Sequence, residues 1–167
     1  MKQVRIIMGS DSDWPVMKKA VQVLREFAVD HEVFVASAHR TTKLALELAS
    51  QAEEDGIEVI IAGAGAAAHL PGVLAAVTCL PVIGVPLNAT ALAGQDALYS
   101  IVQMPSGVPV ATVGIDGAKN AALLAVQILA VKDQALRAKF KQYKEKMIDE
   151  VLEKNQKIQQ LNNELDT

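Results

Sequence analysis

Short apolar runs rich in β-branched residues alternate with segments of helical periodicity along the first 130 residues. Runs of four to six such residues are too short for a typical helix and are typical of strands buried on both faces. They predict five strands: Val4–Met8, Val33–Ala36, Val59–Ala62, Val82–Val85 and Val108–Val113. Between and after them, apolar residues recur every three or four positions, which predicts five helices: Pro15–Phe27, Lys43–Glu54, Leu70–Thr78, Asp96–Gln103 and Ala118–Ala130.

The regular alternation of strand and helix predicts the fold class. Strands that are each followed by a helix form a parallel sheet with helices on both faces. Because crossover connections are right-handed, we expect a flavodoxin-like α/β protein, a three-layer αβα sandwich on a five-stranded or slightly larger parallel sheet. Local signals agree with this prediction. Pro15 suits the first turn of a helix, and Gly56 suits a left-handed cap after the second helix.

The chain changes character from about Lys132. The segment that follows has no glycine or proline and holds half of the basic residues. Its apolar residues Leu136, Phe140, Tyr143 and Met147 lie four, three and four positions apart, which predicts an amphipathic helix. We therefore expect a single catalytic domain over residues 1–167, with a helical extension over about 132–165 that packs on its own domain or on a neighbouring subunit. A nucleic-acid-binding arm is disfavoured because acidic residues are interspersed among the basic ones.

Composition narrows the possible partners. Hydrophobic residues make up 51% of the chain, and a mean hydropathy of +0.23 is high for so small a protein, so we expect a homo-oligomer that buries the excess apolar surface. The net charge of −3 gives no basic footprint for nucleic acid. No apolar run approaches the roughly 20 residues that span a bilayer, and the N-terminus leads directly into a strand pattern. We expect a soluble, cytoplasmic protein without a membrane partner.

The single cysteine, Cys79, excludes an internal disulfide and a zinc site of several thiolates. It falls within the third predicted helix, where a small buried hydrophobic residue is expected.

Candidate chemistry follows the first three strands, whose carboxyl ends border the ligand crevice of an open parallel sheet. In the first loop, Ser10 and Ser12 bring hydroxyls to the mouth of a helix, where free N–H groups favour an anion. Asp13 could accept hydrogen bonds from sugar hydroxyls. Helix capping explains Ser12 and Asp13 equally well.

The second and third loops add a proton carrier and donors. After Ser37, the pair His39-Arg40 combines a side chain that moves protons near neutral pH with a guanidinium that binds phosphate or carboxylate. The alternative is that His39 and Arg40 only form salt bridges on the protein surface. In the third loop, Gly65, Ala66 and Ala67 allow the backbone to approach a ligand closely. They lead to His69, which is either a ligand contact or a helix-start histidine bonded to the backbone. His31, at the opposite end of its strand, is expected to be structural.

Several chemistries lack their motifs. There is no Gly-x-x-x-x-Gly-Lys-Ser/Thr loop, no Gly-x-Gly-x-x-Gly after the first strand, and no clustered metal ligands. A phosphoacceptor receiver domain would have an aspartate where this chain has Gly63. The prediction left by these exclusions is a phosphate-bearing small-molecule ligand that undergoes acid–base chemistry without a metal.

Four motifs resemble the PurE family of N5-carboxyaminoimidazole ribonucleotide mutases. They occur in the family's order and are highly specific as a set, and the resemblance runs from about Val4 to Ala130. The motifs are Met8-Gly9-Ser10-Asp11-Ser12-Asp13-Trp14, Ser37-Ala38-His39-Arg40-Thr41, Ala62 through Gly72, and Ile101-Val102-Gln103-Met104-Pro105.

The resemblance implies a flavodoxin-like subunit in an octamer, with active sites at subunit boundaries. It implies transfer of a carboxylate from an exocyclic nitrogen to ring C4 of a phosphorylated ribonucleotide, with no ATP, biotin, metal or other cofactor. By motif match, His39 is the general acid and base, Ser10, Asp13 and Arg40 bind substrate, and the stretch Gly65–Ala68 closes over the ligand beside His69.

Departures from the family pattern leave alternatives open. Ala66 stands where a second glycine is usual, so loop closure would be impaired if that position requires a positive φ. Thr42 replaces a usual proline, and Asp11 replaces a frequent lysine and is expected to face solvent. A sister branch carboxylates aminoimidazole ribonucleotide directly, but Arg40 and the run Ala68–Gly72 favour the mutase. A non-catalytic nucleotide- or flavin-binding module, or an impaired variant, are the other hypotheses.

Overall fold

A computed structural model of the protein describes residues 2–165 and confirms the predicted α/β fold class. The strands are β1 (Val4–Met8), β2 (His31–Val35), β3 (Val59–Gly65), β4 (Val82–Leu87) and β5 (Ala111–Thr112). The helices are α1 (Trp14–Glu26), α2 (Thr42–Ser50), α3 (Leu70–Ala75), α4 (Gln95–Val102), α5 (Ala118–Leu129) and α6 (Gln134–Leu165).

The five strands form one parallel sheet in the order β2-β1-β3-β4-β5, which is the flavodoxin-like order. The chain leaves β1 to form β2 on one side and then returns to form β3 on the other. This reversal opens a crevice beyond the carboxyl ends of β1 and β3, where α/β proteins bind ligands. Every residue of β1 is buried, whereas the edge strand β2 is only partly covered.

Several element boundaries differ from the sequence prediction: β2 begins two residues earlier, β3 and β4 extend further, and β5, α2 and α3 are shorter. β5 has two residues instead of six, because Pro109 has no backbone N–H for a sheet ladder. α2 ends at Ser50, and turns continue to Gly56, which has the expected left-handed backbone with φ of 81°. α3 ends at Ala75. Cys79 therefore lies in a bend before β4 and is exposed, so the prediction of a buried helical cysteine is wrong.

One charged side chain lies inside the aliphatic core. Arg5, in the middle of β1, is only 3% exposed. Its Nε donates to Glu32 Oε1 at 2.6 Å, its Nη2 to Asp55 Oδ2 at 2.7 Å and its Nη1 to the Leu48 carbonyl at 2.5 Å. These bonds satisfy the buried guanidinium and connect β1 to β2, to α2 and to the turns that follow α2.

The chain divides into two compact units, Met1–Leu129 and Ala130–Thr167. The first holds the sheet and α1–α5. The second unit contains α6. Asp133 directly precedes this helix, and its Oδ1 accepts a hydrogen bond from the Leu136 N–H at 2.9 Å. That the whole chain forms one catalytic domain stays a prediction.

From Met147 onward, α6 exposes apolar side chains at helical spacing: Met147, Ile148, Val151, Leu152, Ile158, Leu161 and Leu165. Within residues 2–165, no helix combines the length and the hydropathy that crossing a membrane requires.

Candidate active site

A cavity of about 320 Å³ opens at the carboxyl ends of β1, β2 and β3. Nine of the ten predicted site residues line this cavity. The tenth, Ala67, is exposed and is not part of the lining. The residues that line it are Gly9, Ser10, Ser12, Asp13, Ser37, Ala38, His39, Arg40, Ala64, Gly65, Ala66, Ala68, His69, Leu70 and Ala89.

The first loop is organised by reciprocal hydrogen bonds. Asp13 Oδ2 accepts from the Ser10 N–H at 3.0 Å, and Ser10 Oγ accepts from the Ser12 N–H at 3.3 Å. Ser10 and Asp13 also line the cavity, so the two side chains that form the capping hydrogen bonds belong to the site as well. Asp11 is exposed and outside the cavity lining, as expected.

The environment of Asp13 makes its carboxyl group harder to ionise. Burial raises the pKa of this carboxyl above its usual value of 3.8. Hydrogen bonds from the Ser10 and Gly9 N–H groups oppose that rise, the charge of Asp11 adds to it, and the nearby Arg40 lowers the pKa. The proton affinity of Asp13 therefore depends on which charges share the cavity.

Ser37 arranges the loop after β2. Its Oγ accepts hydrogen bonds from the N–H groups of His39 at 3.3 Å and Arg40 at 3.2 Å, while its own N–H donates to Thr41 Oγ1 at 2.8 Å. Arg40 reaches the first loop, where its Nη2 donates to the Gly9 carbonyl at 3.4 Å. Since Arg40 forms no ion pair with the described residues, its charge is available to an anionic ligand.

The loop after β3 lies close to its neighbours and has an unusual backbone. A Cβ at Gly65 would lie 2.5 Å from the Ala89 Cβ, so glycine is needed there for space. Ala66 and Ala68 have left-handed backbones with φ of 52° and 41°, and the Ala68 N–H donates to the Gly65 carbonyl at 3.0 Å. The positive φ that would strain alanine at position 66 is therefore present, and it costs about 1–2 kcal/mol.

The two histidines of the site contact each other. His39 Nε2 lies 2.6 Å from His69 Nδ1, and the rings meet edge to face at an interplanar angle of 77°. His69 occupies the cap position of α3 but makes no capping hydrogen bond with its side chain. His69 therefore stands at a helix start, as the alternative prediction had it, but its Nδ1 contacts His39 and not the backbone. His31 Nδ1 lies 2.9 Å from the Val29 carbonyl, away from the cavity, as expected for a structural histidine.

The loop after β4 also contributes to the site, although its residues were not among those predicted from the sequence. Ala89 lines the main cavity, and a second cavity of about 270 Å³ shares Ser12, Asp13 and Ala89 with it and extends to Asn88 and Asp116. Asn88 and Ala89 directly follow β4, so they border the same crevice as the residues that follow β1, β2 and β3. Within residues 2–165, no cluster of three His, Cys, Asp or Glu side chains could hold a metal ion.

These features define a class: an α/β protein with a flavodoxin-like sheet, whose cavity at the topological switch point combines an arginine that can bind an anion with histidines that can transfer protons. Comparison with known proteins makes the assignment specific. The chain belongs to the AIR carboxylase family, whose model matches residues 3–150.

Relatives with high identity share a common name. A protein of Thermotoga maritima named N5-carboxyaminoimidazole ribonucleotide mutase is 59% identical, covering 96% of this chain and 94% of the relative. Mutases of Pyrococcus abyssi and Mycobacterium tuberculosis are 65% and 55% identical, covering 88% and 95% of this chain and 84% and 91% of those relatives. The crystal structure of Treponema denticola PurE superimposes with a TM-score of 0.86 at 30% identity, covering 94% of this chain and 98% of that one.

Proposed function

We propose that the protein is an N5-carboxyaminoimidazole ribonucleotide mutase of purine biosynthesis. It moves the carboxylate from the exocyclic nitrogen to ring C4 and gives 4-carboxy-5-aminoimidazole ribonucleotide, in the de novo route to IMP. As an intramolecular transfer, this is an isomerase reaction. The supporting observation is one cavity that joins a histidine, an arginine without an ion pair among residues 2–165 and a loop of small residues, in a chain 55–65% identical to named mutases.

His39 is the proposed general acid and base. When the N–C bond of the substrate breaks, its electron pair returns to the exocyclic nitrogen, which takes a proton from His39, and carbon dioxide is released. C4 then attacks the carbon dioxide and forms the new C–C bond. The hydrogen on C4 leaves as a proton to His39, so protons and electrons balance and the histidine is regenerated.

The remaining residues bind and confine the substrate. Arg40 offers charge-assisted hydrogen bonds to an anionic group, and Ser10, Ser12 and Asp13 offer acceptors and hydroxyls to phosphate and ribose. Ser37 holds the His39-Arg40 backbone in place. Gly65, Ala66, Ala67 and His69 form the loop proposed to close over the transferred carboxylate. Keeping carbon dioxide beside C4 depends on proximity and exclusion of water more than on a strong base.

Direct carboxylation of aminoimidazole ribonucleotide is the second candidate, since the family model is described as AIR carboxylase. The names of the relatives with high identity favour the mutase. A non-catalytic flavin or nucleotide module has no comparable support.

The deciding experiment is turnover of N5-carboxyaminoimidazole ribonucleotide by purified protein without ATP or added bicarbonate. We expect conversion by the wild type and, for His39→Asn, a loss of at least about 100-fold in kcat, because asparagine forms hydrogen bonds but cannot transfer the proton. Unchanged circular dichroism would show that the variant folds. Activity only with aminoimidazole ribonucleotide and bicarbonate would assign the carboxylase reaction, and an active His39→Asn would remove His39 from its proposed role.

We also propose a homo-oligomer, an octamer with active sites at subunit boundaries. The exposed apolar residues of α4 and of α6 support an assembly that covers them. A cytoplasmic location stays a prediction, which cell fractionation would test. We propose no nucleic-acid or membrane partner.

A further inference from the structure

The contact between His39 and His69 joins the proposed proton carrier to a second titratable ring. The loops after β2 and β3 bring together two residues 30 positions apart, with His39 Nε2 and His69 Nδ1 at 2.6 Å. The edge-to-face arrangement allows a ring nitrogen of one histidine to point at a ring nitrogen of the other. The other ring nitrogens, His39 Nδ1 and His69 Nε2, have no hydrogen-bond partner among residues 2–165.

A hydrogen bond between two imidazoles links their protonation states. One nitrogen must donate and the other must accept, so one hydrogen lies between the rings. If His39 Nε2 bears that hydrogen, neutral His69 must bear its own on Nε2. If His69 Nδ1 bears it, neutral His39 is protonated on Nδ1. The bond survives one added proton, but a second would place two N–H groups face to face and break it. While the bond exists, the position of the hydrogen on one ring therefore determines which nitrogen of the other ring bears a hydrogen.

Among residues 2–165, His69 is the sole hydrogen-bond partner of the His39 ring. The other titratable side chains that line the cavity, within the part of the chain that the structure describes, are Asp13 and Arg40. Asp13 is bonded to the Ser10 N–H and Arg40 to the Gly9 carbonyl. Neither is bonded to a histidine.

We propose that His69 is a positioning residue for His39: its Nδ1 fixes the orientation of the His39 ring and determines which nitrogen bears the proton used in carboxylate transfer. This inference rests on the proposed mutase reaction and gives His69 a role different from the substrate contact that the family resemblance implies. A contact to substrate alone would act mainly on KM, whereas an action through His39 lowers kcat.

Three substitutions separate these roles. Asparagine places a polar amide atom near the site of the histidine Nδ1, glutamine extends its amide about one bond further, and leucine has no polar atom. We expect His69→Leu and His69→Gln to lower kcat by about 10- to 100-fold, the loss typical of a hydrogen bond to a charged group, with KM changed less than about twofold. His69→Asn should recover most of kcat. The control His31→Gln alters a histidine outside the cavity and should leave both constants unchanged.

A second readout does not require turnover. The chain has three histidines, so ¹³Cε1-histidine labelling gives three assignable resonances, with His31 as an internal reference. We expect His69→Leu to move the titration midpoint of the His39 resonance. The dependence of kcat on pH should also differ between this variant and the wild type. His31→Gln should change neither.

The results decide between the possibilities. A raised KM with unchanged kcat, equal losses in His69→Asn and His69→Leu, or a His39 titration unaffected by His69→Leu would each overturn the proposal. If the wild type does not convert the substrate, the proposed function fails, and the NMR titration alone decides the pairing: a shifted His39 midpoint supports it and an unshifted one overturns it.

Discussion

The carboxyl group of Asp13 has a structural role and also lies in the proposed binding site. It accepts the hydrogen bond that closes the first loop, and it lines the cavity beside Arg40. Burial raises its pKa, so keeping this group ionised at neutral pH costs folding free energy. Such a cost at a residue that shapes a binding site is typical of functional residues.

Replacing Asp13 with asparagine should reveal that cost. The folded protein binds the Asp13 proton more tightly than the unfolded chain does, so stability falls as the pH rises from 3.8 through the raised folded pKa, and the loss persists above it. The amide of the variant would keep an oxygen acceptor for the Ser10 N–H without titrating. We expect Asp13→Asn to raise Tm at pH 7, and the gain to shrink as the pH falls through the raised folded pKa towards 3.8 and to vanish below that value. Thermal unfolding at several pH values measures this, and a gain independent of pH would contradict the explanation.

The left-handed backbone of Ala66 gives a second prediction at this scale. With φ of 52°, Ala66→Gly relieves strain but also makes the unfolded chain more flexible. Ala67→Gly is the matched control, because the neighbouring Ala67 has no left-handed backbone. We expect Ala66→Gly to be more stable than Ala67→Gly by about 1 kcal/mol, measured by urea unfolding. Equal stabilities would show that Ala66 is not strained.

At the scale of elements, the site depends on close contact between β3 and the loop after β4. Gly65 and Ala89 leave no room for another methyl group between them. Gly63, two residues earlier, lies against Met17 of α1, where a Cβ would be 2.5 Å from the sulfur. Small residues at the end of β3 therefore determine how near the surrounding loops approach the cavity.

A pair of substitutions tests this packing. Gly65→Ala should destabilise the protein by about 1–3 kcal/mol through overpacking, and the double variant Gly65→Ala/Ala89→Gly should recover most of the loss. Gly114→Ala is the control, since a Cβ there meets nothing within 4 Å. The free energy of unfolding in urea measures all three. Failure of Ala89→Gly to compensate would mean that another contact causes the loss.

At the scale of the whole molecule, exposed apolar side chains indicate association. Ile158 and Leu161 of α6 are 63% and 47% exposed, and about one turn of helix separates them. Light scattering should give a mass eight times the 17.8 kDa of one chain. Activity should fall together with mass on dilution, because the sites are proposed to lie at subunit boundaries.

Introducing positive charge on the exposed apolar face of α6 tests whether this helix contributes to the assembly. Ile158→Lys/Leu161→Lys should lower the measured mass, whereas Gln156→Lys/Gln160→Lys adds the same charge on the roughly opposite face of the helix and should not. A wild-type mass of 17.8 kDa would contradict oligomerisation, and equal effects of the two double variants would exclude this face.

The amino-acid sequence by itself determined the strands, the helices and three of the loops that form the cavity. Burial leaves a periodic pattern that can be read locally, and parallel strands place the residues after their carboxyl ends on one side. Both rules need only the order of residues along the chain. They were sufficient to place His39, Arg40 and Asp13 at the same edge of the sheet.

Other features were decided by the tertiary structure. Arg5 can be buried because Glu32 and Asp55, both distant in sequence, accept hydrogen bonds from its guanidinium. The left-handed backbone of Ala66 and the 2.6 Å contact between His39 and His69 result from how loops on neighbouring strands pack together. Such distances depend on strand register and on the space between side chains, which no local pattern encodes.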